Sequence, residues 1–253
     1  MKKKMILLFL LLILSFFLYQ NHTMIWNGIQ NFKNSFYRTL LFEDRYKIFL
    51  KGLTNTILIS VLSILLGTIL GFILFILSRK EKTIQKITTI FIRLLQGIPI
   101  TVLLLIFYYV IFGMIDINPV LVAVITFSIY FSAYTAEVMK GAYASINKNQ
   151  IYSAYSMGFT KKQTLRFIIL PQVLSYMIPV YKNEMVSLIK LTSIASYISI
   201  IDLTKASDIV RNRTYEAFFP LIFTAFIYFL ICFLLGKLLD YADKRMNPRR
   251  FSK

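Results

Sequence analysis

Between Lys51 and Lys237, four stretches of this chain run for twenty residues or more without a charged side chain. There are 27 such residues between Lys51 and Arg79 and 22 between Arg93 and Asp116; Asp116 to Glu137 and Glu216 to Lys237 enclose 20 each. The hydrocarbon core of a bilayer, about 30 Å thick, takes roughly 20 apolar residues of helix to cross. Each run is apolar on every side and lacks two-residue alternation, so these are spanning helices rather than barrel strands. Hydrophobic residues make up 57% of the chain, more than a soluble domain needs. The chain reads as an all-α integral membrane protein.

A fifth span, about residues 172–190, carries Lys182, Glu184 and Lys190. It is required because the segment before it and the span after it need opposite ends joined. A sixth candidate is Met5 to Tyr19, an apolar run after Lys2, Lys3 and Lys4. No A-x-A-like cleavage site follows it, so it reads as a retained anchor rather than a cleaved signal. The net charge of +18 is then explained by position. Residues 2–4, 79–93, 140–171 and 237–253, separated by even numbers of spans, hold 19 of the 29 cations. This positive-inside bias puts both termini and the 140–171 segment in the cytoplasm. It leaves no call for a nucleic-acid partner. Three regions follow: an anchor and outside connector (1–48), a core (49–241) and a basic cytoplasmic tail (242–253).

The connectors and breaks add detail. Residues 20–50 read as an outside connector with a short amphipathic helix on the surface, where Trp26, Tyr37 and Tyr46 suit the interface. Gly67 and Gly71, four apart, permit close approach of another helix. Gly97 and Pro99 break the second core span near its cytoplasmic end, and Pro119 starts the third. Enzyme chemistry has almost nothing to stand on. There is no P-loop, G-x-S-x-G or H-E-x-x-H pattern. His22 is the lone histidine, without ligand partners nearby, and Cys232 the lone cysteine.

The most patterned stretch is cytoplasmic, "SAYSMGFTKKQTLRFIILPQ" (153–172). Ile151, Ala154 and Tyr155 fall at helical spacing. Asn147 or Asn149 serves as the helix cap, and Gly158 supplies a left-handed stop. A helix of about eight residues is some 12 Å long, too short to span and too apolar on one face to be left in water. Such an element packs on a partner; a helix lying on the membrane surface is the competing reading. A second amphipathic stretch carries Lys161, Lys162 and Arg166. Pro171 disfavours helix at Leu170 and starts the next span.

These residues resemble a known family. ABC importer permeases carry a cytoplasmic pattern E-A-A-x3-G-x9-I-x-L-P, which stands here as Tyr152-Ser153-Ala154, Gly158 and Ile168-Ile169-Leu170-Pro171 at the same spacing. The polar-amino-acid branch is resembled by "GLTNTILIS" (52–60), "LLQGIPI" (94–100), "AYTAEVMKGA" (133–142), "LPQVL" (170–174) and "KNEMVSLIKLTSIASYISIIDLT" (182–204), in the right order. The resemblance covers about residues 50–240. Three positions depart from the pattern: Tyr152 replaces a glutamate, Gln96 an arginine and Leu191 an aspartate.

The resemblance implies a type I permease fold of five helices plus one N-terminal span. It implies an ATP-driven importer for polar amino acids in a bacterial cell membrane. Two ATPase subunits would sit below, a binding protein outside, and a second permease copy or similar permease beside it. ATP would be bound by the partner, and this chain would contribute no catalytic residue and hold no cofactor or metal. Gln150, Tyr152, Ala154, Gly158 and Thr160 would dock the ATPase as a coupling helix. Asn183, Glu184, Lys190, Thr192 and Ser193 would line the solute path. Intramembrane charges usually face a cavity or a partner, and an ion pair of Glu184 with Lys182 or Lys190 is the other reading. Leu191 removes one of two acids on a helix face, which favours a neutral polar amino acid or cystine over a cationic one. An ion-coupled secondary transporter is the alternative class; it would show paired internal halves, and no span recurs here.

Overall fold

The computed structural model describes residues 20 and 22–246; the run Met5 to Tyr19, read above as an anchor, lies outside them. Helix α1 (His22–Phe36) leads through a π turn and a 3-10 turn into α2 (Tyr46–Leu77). Then come α3 (Lys82–Gly97), α4 (Ile100–Leu105) with a π-helical continuation to Ile111, and α5 (Pro119–Ala144). Short α6 (Lys148–Ser156) and α7 (Lys161–Thr164) precede α8 (Leu170–Leu191), and α9 (Leu203–Thr214) precedes α10 (Phe218–Met246). No strand occurs among the described residues.

Four helical stretches are long and apolar enough to cross a bilayer: α2, α5, the run Lys161–Ile198 through α7 and α8, and α10. The fifth span is α3 and α4 taken together, bent by 101° where Gly97 and Pro99 interrupt the ladder. These are the five core spans expected. The connector helix is also present: α1 carries exposed Trp26 and lays Phe32 and Phe36 edge-on against Phe219 of α10, 5.2 and 5.8 Å between centroids.

Helices α2 and α5 pack along each other through the two glycines. A Cβ on Gly67 would lie 2.8 Å from the Ser128 carbonyl oxygen, and one on Gly71 would lie 2.6 Å from the Thr135 Cβ. Only a bare backbone fits there. Most hydroxyls along this seam are satisfied locally, the buried Thr135 hydroxyl being left without a partner. Ser60, Thr126 and Ser128 donate to carbonyls one turn back, and Ser63 reaches across to Val124 O. In hydrocarbon only such internal pairing is open to them. Phe127, Phe131, Ile59, Leu104 and Leu188 fill the main core between α2, α4, α5 and α8. A second cluster (Met139, Ala142, Ile146, Ile169, Val173 and Met177) ties the cytoplasmic end of α5 to the start of α8. Arg79 caps that end of α2, its guanidinium 3.5 Å above the Tyr143 ring.

One expectation is corrected and another gains detail. Leu170 is helical (φ −59°, ψ −45°) despite preceding Pro171. The chain makes a π turn from Leu165 to Ile169, in which Leu170 N–H donates to Leu165 O. The wider turn gives the proline ring room against the preceding turn, and the Gln172 amide takes up the Ile168 carbonyl. The stretch 191–216, expected as an outside connector, folds back onto α2 and α10. Leu203 N–H donates to Thr56 Oγ1 and the Tyr228 hydroxyl to Asp202. Thr56 and Tyr228 each lie ten residues inside their helices, about 15 Å from the outer ends. The arm leading into α9 is thus re-entrant with respect to the bundle, tucked between α2 and α10.

Candidate functional site

The hairpin of α6 and α7 is built by local signals. Asn147 caps α6 by accepting from Asn149 N–H at 2.9 Å. Gly158 closes it at φ +84°, with open space where a side chain would stand. Thr160 and Gln163 form a reciprocal capping box that starts α7. Of the residues expected to dock a partner, Tyr152 projects outward, 63% exposed, with Tyr155 (43%) and Met157 (76%) beside it. Ala154 is only 2% exposed, set at the base of the hollow beside the helix. Thr160 is committed to its cap. Gln150 accepts from the Gln172 amide at 2.8 Å, which links α6 to the first turn of α8. A surface hollow of about 470 Å³ runs along Asn149, Gln150, Ser153, Met157 and Phe159. Tyr155 and Met157 were not among the residues expected to dock a partner, although an apolar face repeating at helical spacing marked them.

In the membrane, α8 is covered by α5 on one side and α10 on another. Its uncovered stripe runs Tyr176, Val180, Asn183, Ser187 and Lys190, with Ser187 half-buried and the rest exposed. These positions recur every three or four residues, one helix face. The stripe turns polar, Asn183-Ser187-Lys190, where hydrocarbon would demand apolar residues, so it faces a polar space. Ser187 was not anticipated, although it stands one turn from Asn183.

The five expected pathway residues separate. Asn183 and Lys190 lie on the open stripe. Glu184 is half-buried toward α5, near enough to Tyr130 to interact electrostatically. Tyr130 donates to the Tyr134 hydroxyl at 3.0 Å, and Tyr181 bonds Thr68 across to α2. Ser193 is half-buried and donates to Lys190 O. Thr192 is fully buried and donates to Ile189 O; it belongs to the core because the helix tightens to 3-10 there. Leu191 also packs on the main core. The suggested pair of Glu184 with Lys182 is not formed: Lys182 bridges to Asp240 of α10 at 2.5 Å. Nor does Glu184 pair with Lys190, which is exposed at the edge of the open stripe, beside a cleft shared with α10. Among the described residues no cluster of three metal-ligating side chains occurs.

The re-entrant arm closes the outer side of this region. Asp202 caps α9, accepting from Thr204 N–H and Lys205 N–H at 3.0 Å each and from Tyr228. Asn55 donates to Ile201 O, and a Cβ on Gly52 would lie 2.7 Å from Asp202 O.

This arrangement of spans, hairpin and re-entrant arm has known counterparts. The chain is 32% identical to the probable amino-acid ABC transporter permease protein YckA of Bacillus subtilis, over 83% of this chain and 93% of that one. It is 32% identical to the L-cystine transport system permease protein TcyB of the same organism, over 82% and 90%. Among solved structures, an amino acid ABC transporter with histidines superposes at a TM-score of 0.72 with 30% identity, covering 79% of this chain and 94% of that chain. Residues 63–248 match a whole-family pattern of membrane subunits. The chain belongs to the family of binding-protein-dependent transport system inner membrane components.

Proposed function

We propose that this protein is the membrane-spanning permease of an ATP-driven importer for polar amino acids, docked to its ATPase through α6. The observation that carries this is the mounting of the hairpin. Helix α6 is fixed to α8 by Gln150 and Gln172 and backed by the cluster under Ile151, yet Tyr152, Tyr155 and Met157 are left uncovered. An apolar, aromatic patch on a rigid cytoplasmic projection is a partner surface. Any displacement of α6 is passed directly to the helix that carries Asn183, Glu184 and Lys190.

The amino-acid assignment is supported by relatives named for cystine and glutamine transport. A polar α8 stripe in a single copy encloses no channel, so a second copy or a similar permease completes the path. Two ATPase subunits below bind the ATP, a binding protein delivers solute from outside, and both termini lie in the cytoplasm. This chain supplies no catalytic residue and no cofactor. Polar Asn183 and acidic Glu184 receive the solute's donors, and Leu191 favours an uncharged side chain. An ion-coupled transporter would work without a partner ATPase.

The test is copurification from native membranes. An ATPase should come down with the wild-type chain and be lost with Tyr152→Asp, with size-exclusion behaviour unchanged. Absence of any nucleotide-binding subunit from the wild-type preparation, even after crosslinking, would overturn the reading.

A further inference from the structure

A cleft of about 550 Å³ lies between α8, α9 and α10. Its polar lining is Lys190, Ser193, Thr204, Thr224, Tyr228 and Cys232, flanked by the exposed apolar side chains of Leu221 and Phe229. The lining holds one cation and no acid. Cys232 stands fourteen residues into α10, about 20 Å from its outer end, and the Lys190 ammonium is near enough to interact with it electrostatically. A lysine at such depth is costly unless something answers its charge.

Nothing among the described residues does. Asp202 is fully buried and already accepts from Thr204 and Tyr228 of the lining and from Lys205. Asp240 is taken by Lys182, Asp208 by Arg211 and Glu216 by Arg38. Glu184 faces α5, on the other side of α8. A second observation points the same way. The Thr224 hydroxyl, on a residue 7% exposed, is buried without a hydrogen-bond partner, although it lines the cleft. An unanswered cation and an unanswered hydroxyl share one hollow beside the polar stripe. Both are donors, and the group that satisfies donors of this kind is an anionic oxygen.

We propose that this cleft receives the carboxylate of the transported solute, with Lys190 as its counter-charge and Thr224 as a hydrogen-bond donor. The proposal rests on the amino-acid importer reading above. A lipid phosphate has the same oxygen chemistry, and the experiment separates the two.

Cys232, half-buried in the cleft wall, is a built-in reporter. The complex is placed in nanodiscs of neutral phosphatidylcholine, and N-ethylmaleimide modification of the Cys232 peptide is followed by mass spectrometry. L-Glutamine, L-histidine, L-arginine and L-serine are each compared with their carboxyl amides. At least one free amino acid should slow modification fivefold or more, and its amide less than twofold. Lys190→Arg should keep the protection, whereas Lys190→Gln, still monodisperse, should lose it together with most ATP-driven uptake of that amino acid. Equal protection by the amide, protection that survives Lys190→Gln, or no protection by any of the four overturns the proposal. So does slowing that appears only when phosphatidylglycerol is added, which would make this a lipid site. The importer reading fails separately, if no ATPase accompanies the wild-type chain. Uptake that proceeds with Cys232 unprotected removes the cleft assignment and leaves the importer standing.

Discussion

The hairpin around α6 and the re-entrant arm ending in α9 are both short helices hung between long spans, and beyond their local caps they are held in different ways. Helix α6 is specified by its own neighbours in sequence: an Asn147 cap, a Gly158 stop and a Thr160–Gln163 box. It leaves its aromatic face open. Helix α9 is held by residues far away in the chain, namely Gly52, Asn55, Thr56 and Tyr228, and it buries its capping aspartate completely. The difference follows from solvent. In water, a helix end can be finished by its own polar residues, and a face can wait for a partner. Where water is excluded every backbone donor must be answered by protein: Asp202 answers two at the start of α9 and Thr56 of α2 a third, and Tyr228 of α10 bonds that aspartate.

That contrast predicts which changes are structural and which are functional. The largest effect is expected from Gly52→Val, since even the first added carbon would meet the Asp202 backbone at 2.7 Å. Crowding a packed interior typically costs about 1–3 kcal/mol and here has no flexible neighbour to yield. Fluorescence-detected size exclusion should show aggregated protein; a monodisperse peak would mean that α9 is not locked to α2.

Next comes the double change Tyr152→Asp with Tyr155→Asp. It should lower ATPase copurification at least tenfold while leaving the melting temperature of the isolated permease within a degree or two, roughly the effect of a neutral surface change. A large fall in melting temperature would make the patch part of the permease fold.

Asp202→Ala removes a cap and strands the Thr204 and Lys205 amides in a dry site. A loss of about 1–2 kcal/mol is expected, read as a lower melting temperature. Asp202→Asn, which keeps an acceptor, should recover most of it. If both variants melt together, the carboxylate's hydrogen bonds are not what hold the arm.

The smallest effect is expected from Gly158→Ala. Its Cβ enters open space, but the backbone at φ +84° disfavours any side chain, by about 1 kcal/mol. ATPase binding should weaken a few-fold by titration, with little change in the spans. A change as severe as that of Gly52→Val would erase the distinction between the two regions.

The sequence by itself determined the class and most of the frame. Charge-free runs fixed four spans through the length a bilayer demands, and Gly97 with Pro99 marked the break in the other. Cap residues outlined α6, because capping acts over three or four residues. Gly67 and Gly71 announced a close helix contact, though not that α5 would fill it. Tertiary structure decided the rest. It placed Lys182 against Asp240 and so freed Glu184, put Glu184 and Lys190 on different sides of α8, and buried Thr192 and Ala154 among the packing residues. It also turned the 191–216 connector into a re-entrant arm. None of these could be read from spacing along one helix, because each depends on which neighbouring helix covers a given face, and coverage is a property of the assembled bundle.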